Sequence, residues 1–276
     1  MTKKEWLAYI NGLKTNILLK DKTKIKKLLE KELINSVKIP KEKFGILFSG
    51  GVDSSTIALI AKKFTNNFVC YTVGFKDSED IKYAKLVAKK LKLKLKIKIL
   101  DLKDIEDRIK KLVKILPIID VVSIGVGLVT YSAMELAKKD KVKIIFTGLG
   151  SEEIFAGYQR HKLSKDINKE CWIGLKDMYD RDIMRDQAIA KYFKMKIETP
   201  FLSKELIKLA MQIPAEYKIN EENKLILREV SSKLGLKKFA FRKKKAAQYG
   251  SNFIKALDKI SKKNGFKYKK EYLQSI

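Results

Sequence analysis

Cysteine, histidine and proline are scarce in this sequence of 276 residues, which has two, one and four of them respectively. Cys70 and Cys171 lie far apart and form no CxxC pair, so the sequence predicts free, buried thiols rather than a disulfide framework or a metal site. This cysteine usage fits a reducing cytoplasm. His161, the only histidine, is expected to be a local hydrogen-bonding or surface residue.

Long apolar runs are also missing. No stretch of about 18 apolar residues is apparent, so we expect no membrane-spanning helix. The first six residues lead into no apolar segment, so a secretion signal is not expected. Hydrophobic residues nevertheless make up 45% of the sequence, enough to bury the core of one large domain or two modest ones.

Acidic residues are outnumbered, with 32 Asp and Glu against 61 Lys and Arg and a net charge of +29. A surplus of this size raises nucleic acid, and tRNA in particular, as a partner. Lysine supplies almost all of it, however, and lysine is the poorer residue for bidentate phosphate recognition. The lysines are spread along the chain, as on the Lys-rich surfaces of heat-adapted proteins. A solvated, thermophile-like surface is favoured, and the nucleic-acid interpretation stays open.

The hydrophobic pattern divides the chain into three parts. Residues 1–40 are helical, residues 41–160 alternate short apolar strands with helices, and residues 161–276 are helical again, with no strand expected after Tyr158. Alternation of this kind predicts an α/β fold with a doubly wound parallel sheet of about five strands. Lysines alternate with apolar residues in the third strand, which places it near a sheet edge. The predicted strands are Phe44–Phe48, Phe68–Phe75, Leu91–Ile99 and Val142–Thr147.

A Gly- and Ser-rich loop, Ser49–Ser55 (SGGVDSS), follows the first strand and opens a helix. Gly50 and Gly51 lack a Cβ, so the backbone can bring its N–H groups close to an anion at the helix N-terminus. Asp53 would repel phosphate unless a cation lay between them, which predicts Mg²⁺ there. Hydroxyl donors would come from Ser49, Ser54 and Ser55.

SGGVDSS resembles the signature of the N-type ATP pyrophosphatases, which have an adenine nucleotide α-hydrolase-like fold. Within them the sequence is most similar to the synthetase domain of asparagine synthetase and β-lactam synthetase. The resemblance runs from about residue 41 to 255, and details such as GYQRH and AAQYGS point to the asparagine-synthetase-domain-containing branch. It is carried further by Thr147–Tyr158 (TGLGSEEIFAGY), by Arg185–Leu202 ending in PFL, and by Lys224–Ser251 (KLILRE and RKKKAAQYGS).

The resemblance implies ATP and Mg²⁺ as cofactors and cleavage of ATP to AMP and pyrophosphate. Lys244 matches the catalytic lysine of the family, and Arg242 matches the basic residue before it. Because loops at the carboxyl ends of parallel strands share one crevice, Asp53 and Glu152 are expected to hold the metal together. By resemblance, the adenine and ribose would be framed by Leu47, Val73, Thr147 and Gly148.

Three departures weaken the assignment to asparagine synthesis itself. Leu149 stands where asparagine synthetases have an acidic residue, and residues 196–198 read Lys-Ile-Glu where the family has Glu-x-Arg. Thr2 stands in place of the N-terminal cysteine that hydrolyses glutamine. We therefore expect the nitrogen to come from ammonia, from a separate glutaminase subunit or from an amine-bearing substrate.

Three functions remain open on the sequence. The first is a ligase that adenylates a small carboxylate for attack by ammonia or an amine. The second is a tRNA-modifying ATP pyrophosphatase of the lysidine-synthetase or thiolation type, which the charge favours. The missing CxxC pairs disfavour the thiolation type, and the other motifs disfavour both types. The third is a degenerate nucleotide-binding subunit.

Overall fold

Five strands form a single sheet in the computed structural model, which describes residues 1–15, 17–243 and 245–276. All pairs are parallel, and the order across the sheet is third, second, first, fourth, fifth strand. This is the predicted doubly wound arrangement, and its order reverses between the first and fourth strands. In chain order the strands are β1 (Phe44–Leu47), β2 (Phe68–Phe75), β3 (Leu95–Leu100), β4 (Ile144–Phe146) and β5 (Lys196–Glu198).

Helices cover both faces of the sheet and form most of the C-terminal part. In chain order they are α1 (Lys3–Gly12), α2 (Lys22–Ser36), α3 (Val52–Phe64), α4 (Glu79–Leu91), α5 (Leu102–Ile115), α6 (Val121–Lys139), α7 (Ser151–Ile154), α8 (Gln159–Leu163), α9 (Ile167–Met178), α10 (Met184–Phe193), α11 (Lys204–Met211), α12 (Ala215–Lys218), α13 (Leu225–Ser231), α14 (Ala247–Gly250), α15 (Phe253–Lys263) and α16 (Lys269–Gln274). Two π-helical turns, Tyr179–Ile183 and Ser232–Leu236, and two 3₁₀ turns, Pro200–Leu202 and Lys237–Phe241, complete the list.

The central strands are buried on both faces, as their continuous apolar runs predict. In β2, Phe68 and Cys70 enter a core shared with helices such as α2 and α3, whereas Val69, Tyr71 and Val73 enter a second core shared with helices such as α5 and α6. Both cysteines are free and buried, which confirms the prediction for the thiols.

The edge position of the lysine-rich strand is confirmed, but its start is corrected. Helix α4 runs to Leu91 and ends at Lys92 in the left-handed conformation, so β3 begins only at Leu95. Ile99 was expected on the buried side and is 59% exposed. Strand β3 is an edge strand with a neighbour, β2, on one side only, so the side chain of Ile99 near its C-terminal end is not fully covered.

The prediction that no strand follows Tyr158 is wrong. Strand β5 pairs with β4 through Ile145 and Ile197, and the Thr147 N–H donates to the Glu198 carbonyl at 3.0 Å. Three residues, two of them charged, are too few to show a period of two. Their extended conformation is stabilised by pairing with β4, which lies far away in the sequence.

The predicted N-terminal helical region packs against the rest of the protein. Trp6 and Ile10 of α1 and Leu29 of α2 lie in the same hydrophobic cluster as Phe44 of β1. The division into residues 1–40, 41–160 and 161–276 stays a prediction, because these segments share their buried side chains.

The sequence led us to expect no membrane-spanning helix. Among the described residues, helix α6 alone is long and apolar enough to cross a membrane, by length and composition only. The most apolar 18 residues of α6 are 61% buried, between the sheet and neighbouring helices such as α5 and α10. A core helix of an α/β domain has the same properties.

Candidate active site

Two loops meet where the strand order reverses. The Ser49–Ser55 loop follows β1, and the loop that begins at Thr147 follows β4, which pairs directly with β1. Their backbones lie so close that a Cβ on Gly148 would be 2.8 Å from the Cβ of Asp53. Glycine at position 148 therefore permits the contact between the two loops.

The first loop has the features of a phosphate-binding turn. Gly50 has φ +67°, and a Cβ there would be 2.7 Å from the backbone of Tyr83. Gly51 is the N-cap of α3 and has no side chain with which to accept from the N–H groups of the first turn. The serines stabilise the turn itself, since the Ser49 N–H donates to Ser54 Oγ at 3.2 Å. The Ser55 hydroxyl is buried, with no hydrogen-bond partner in the described part of the chain.

Lys224 joins the two predicted metal ligands. Its ammonium lies 2.8 Å from Asp53 Oδ1 and 2.7 Å from Glu152 Oε1, and it donates to Ser151 Oγ at 3.0 Å. Burial acts to lower the pKa of Lys224, but the carboxylates of Asp53 and Glu152 outweigh it and raise the pKa above the ordinary value. Lys224 begins one of the stretches that carry the family resemblance, but the resemblance gave it no role.

The same two carboxylates satisfy the chemistry of a magnesium site. One ammonium contacts both Asp53 and Glu152, so both side chains are within reach of a single cation, and all donors there are hard oxygens. Among the described residues, no cluster of three or more metal-ligating side chains exists. Mg²⁺ is commonly held by one or two carboxylates together with substrate phosphates, so two carboxylates fit this mode of binding.

A cavity of about 330 Å³ opens in front of these loops. Of the residues predicted to bind the cofactor or metal, most line it, but Gly50, Gly51 and Ser55 do not. Helix α6 adds an apolar wall with Val126 and Val129. The predicted residues in the lining are Leu47, Ser49, Asp53, Ser54, Val73, Thr147, Gly148 and Glu152.

The predicted catalytic pair is only partly described. Lys244 lies outside the described residues. The Arg242 guanidinium donates to the Ser49 carbonyl at 2.8 Å and to Asp80 Oδ1 at 3.0 Å, and it stacks 3.8 Å from the centre of the Tyr83 ring. Arg242 does not line the cavity, and its contact with the Ser49 carbonyl positions the Ser49–Ser55 loop. Its catalytic role stays a prediction.

A group of charged residues from the π turn and α10 lines the cavity, and only Arg185 among them was considered from the sequence. Arg185 donates to Asp182 at 3.0 Å and to Asp186 at 2.9 Å, and Arg181 pairs with Glu153 at 2.6 Å. Besides the family-like stretch that begins at Arg185, a sequence signal for this group is the repeated Arg-Asp pair in RDIMRD, which places like residues one helical turn apart. Burial and the nearby Asp182 raise the pKa of Glu153 to about 7, although Arg181 opposes the shift.

Two other candidates have structural contacts. Arg228 donates to the carbonyls of Asn223, Ala240 and Arg242, which holds the basic segment against α13. His161 is buried and accepts from the Tyr158 N–H at 3.0 Å, and burial lowers its pKa to about 4. The prediction of a local hydrogen-bonding role for His161 is confirmed.

The sheet order and the loops at its switch point define an adenine nucleotide α-hydrolase-like fold. The family model described as asparagine synthase matches residues 28–165 and 162–263. A protein of Methanocaldococcus jannaschii assigned as glutamine-hydrolysing asparagine synthetase 1 is 33% identical over 276 residues, covering 85% of this chain and 51% of the relative. The chain therefore belongs to the asparagine synthase family, as the sequence resemblance predicted.

More distant relatives agree with this membership. Asparagine synthetase B of Escherichia coli K12, described as glutamine-hydrolysing, is 27% identical and aligns with 82% of this chain and 44% of its own length. The chain spans about half the length of these two relatives.

Among solved structures, the NH3-dependent NAD synthetase of Campylobacter jejuni has 19% identity and a TM-score of 0.35, covering 59% of this chain and 77% of its own. The U34-tRNA thiolase of Methanococcus maripaludis has 15% identity and a TM-score of 0.42, covering 91% of this chain and 77% of its own. At these TM-scores neither similarity carries a conclusion about this chain.

Proposed function

We propose that this chain is an ATP-dependent ligase that adenylates a small carboxylate, releases pyrophosphate and transfers the acyl group to ammonia or an amine. The observation that carries the proposal is that the two loops after β1 and β4 meet at the ammonium group of Lys224. Asp53 and Glu152 contact the same ammonium, and both line the cavity. Asp53 also lies in the first turn of α3, whose N-cap is Gly51 and has no capping side chain. Membership of the asparagine synthase family supports the same reaction class.

In this proposal the triphosphate binds at the Ser49–Ser55 loop, where backbone N–H groups and the helix dipole favour negative charge. The adenine and ribose lie against Leu47, Val73 and Thr147, which line the cavity. Asp53 and Glu152 hold Mg²⁺, which when bound neutralises phosphate charge. Lys224, which contacts both carboxylates, keeps the two loops in register.

Attack of the carboxylate on the α-phosphate develops negative charge on the departing pyrophosphate. A positioned cation that meets this charge is often the largest contribution to the rate. We assign this role to Lys244, with Arg242 fixing the loop through the Ser49 carbonyl at 2.8 Å. Arg181 and Arg185 also line the cavity, so they can stabilise charge on the adenylate.

Exchange of labelled pyrophosphate into ATP tests the first half-reaction without an amine. We expect exchange that depends on Mg²⁺ and on one member of a panel of small carboxylates, and we expect Asp53→Asn to lower it roughly 10²-fold or more. If no carboxylate supports pyrophosphate exchange but the addition of tRNA causes pyrophosphate release, the tRNA-modifying alternative is favoured. Absence of ATP binding in the presence of Mg²⁺ would refute both enzymatic proposals.

The source of nitrogen and the partners follow from the same proposal. We propose that the nitrogen comes from ammonia, from an amine-bearing substrate or from a separate glutaminase subunit. We propose a cytoplasmic protein without a membrane partner, in keeping with its two free, buried cysteines. The net charge of +29 makes salt-dependent tRNA binding a useful control measurement.

A further inference from the structure

A second cavity, of about 500 Å³, lies on the other side of Leu149. Its walls are mainly apolar and include Trp6 and Tyr9 of α1, Ala190 of α10 and Met195. Trp6 is fixed in place, since its indole N–H donates to the Leu175 carbonyl at 2.8 Å. The polar Gln187 and Lys191 also line this cavity, and both are exposed, so they mark its mouth.

The two cavities are neighbours. Leu149 and Asp186 line both of them, so the two cavities adjoin at these two side chains. Leu149 is half-buried and is the apolar residue that replaces an acid in the Gly-rich loop after β4. Asp186 is the carboxylate shared by the two cavities.

Asp186 accepts two hydrogen bonds on one oxygen. Its Oδ1 accepts from Arg185 Nε at 2.9 Å and from the Thr130 hydroxyl at 3.4 Å. Neither of these hydrogen bonds is made to Oδ2, and Asp186 as a residue is only 5% exposed. Burial raises the pKa of Asp186, although Arg185 opposes the shift. An almost fully buried carboxylate that lines a cavity, with one oxygen left over from its bonds to Arg185 and Thr130, suits a ligand with an N–H group.

The size and polarity of the cavity exclude ammonia as its fitting occupant. A molecule the size of water takes up about 30 Å³ of liquid, far less than this space, whereas pockets for organic ligands have roughly 300–1,000 Å³ and mostly apolar walls. A carboxylate substrate is disfavoured, because it would face the Asp186 carboxylate. The guanidinium of Arg185 is paired with Asp182 and Asp186, and an amine must be in its neutral form to act as a nucleophile.

We infer that this cavity binds the acyl acceptor and that the acceptor is a primary amine with an apolar body, an alkyl chain or an aromatic ring. The inference rests on the proposed ligase function. The amine donates an N–H to Asp186 Oδ2 and directs its lone pair past Leu149 to the acyl carbon. The C–N bond forms, the bond between that carbon and the phosphate oxygen breaks, AMP leaves with the electron pair, and one amine proton passes to Asp186.

Calorimetric titration without ATP tests the cavity separately from the reaction. Hexylamine and phenethylamine should bind at least tenfold more tightly than ammonium or methylamine. Ala190→Phe should fill the cavity and weaken hexylamine binding at least tenfold, whereas Ala188→Phe should change it less than twofold, because Ala188 is on the same helix but does not line the cavity. Equal binding of hexylamine and ammonium, or equal effects of the two variants, would overturn the inference.

A smaller change guards against misfolding. If Ala190→Phe loses its cooperative thermal transition, Ala190→Leu takes its place, with Ala188→Leu as its control. Asp186→Asn should shift amide formation to a different pH profile, because the group that accepts the amine proton no longer titrates; an unchanged profile would contradict the role of Asp186. Failure of carboxylate-dependent pyrophosphate exchange would refute the ligase proposal, and that result is independent of whether hexylamine binds.

Discussion

Removal of the Lys224 ammonium by Lys224→Met is the sharpest test of the site. Its side chain is 4% exposed and Asp53 is 9% exposed, while Glu152 is 33% exposed. Breaking a buried ion pair by removing one partner costs about 3–5 kcal/mol. Because water can solvate Glu152, we take the lower end, about 3 kcal/mol. Each kcal/mol shifts the melting temperature by roughly 2–4 °C in domains of this size class, so we expect a fall of about 6–12 °C.

Thermal and urea denaturation without nucleotide measure this change directly. The pKa of Lys224 is raised above its ordinary value of 10.5. Its stabilising contribution is therefore complete below pH 10.5 and lost only as the pH rises further, through the pKa of the folded state. We expect the same difference between wild type and variant at pH 7 and at pH 9.

Lys233→Met is the matched control. Lys233 forms an ion pair of 3.0 Å with Glu30, but its side chain is 66% exposed, so the loss should be about 0–1 kcal/mol. If Lys224→Met lowers the melting temperature no more than Lys233→Met does, the ammonium does not hold the two loops together. The stability argument for the site would then be wrong.

Three further predictions concern the loops and their surroundings. Lys244→Ala should lower turnover roughly 10²-fold or more, and a change within about threefold would contradict its catalytic role. Gly148→Ala should raise the KM for ATP at least tenfold, because the new Cβ displaces Asp53, whereas Gly12→Ala should not, since nothing lies within 4 Å of its Cβ; equal KM values would refute the contact. Glu153→Gln should flatten the stability profile in urea between pH 5 and 8. Burial raises the pKa of Glu153 from 4.5 to about 7, so the wild type loses stability as the pH rises through that range, and an unchanged slope in the variant would contradict this.

Much of the fold could be read from local patterns in the sequence. The strands β1 and β2 are continuous apolar runs because both of their faces are buried. In the loop Ser49–Ser55, Gly50 is required because the backbone has a positive φ and passes close to Tyr83. Where burial or backbone conformation dictates the residue type, the sequence carries the signal. Strand β5 carried no such signal, because its three residues depend on pairing with β4.

The sequence by itself determined the chain's class of fold, the Gly- and Ser-rich loop Ser49–Ser55 and eight of the residues that line the cavity in front of it. The tertiary structure decided which charges meet. Lys224 lies 171 residues from Asp53 in the sequence, and Asp186 lines both cavities although the Arg185–Leu202 stretch that contains it gave this carboxylate no role. Periodicity reports which side of an element is buried, whereas contacts between distant side chains depend on how the elements pack, and packing is a property of the whole chain.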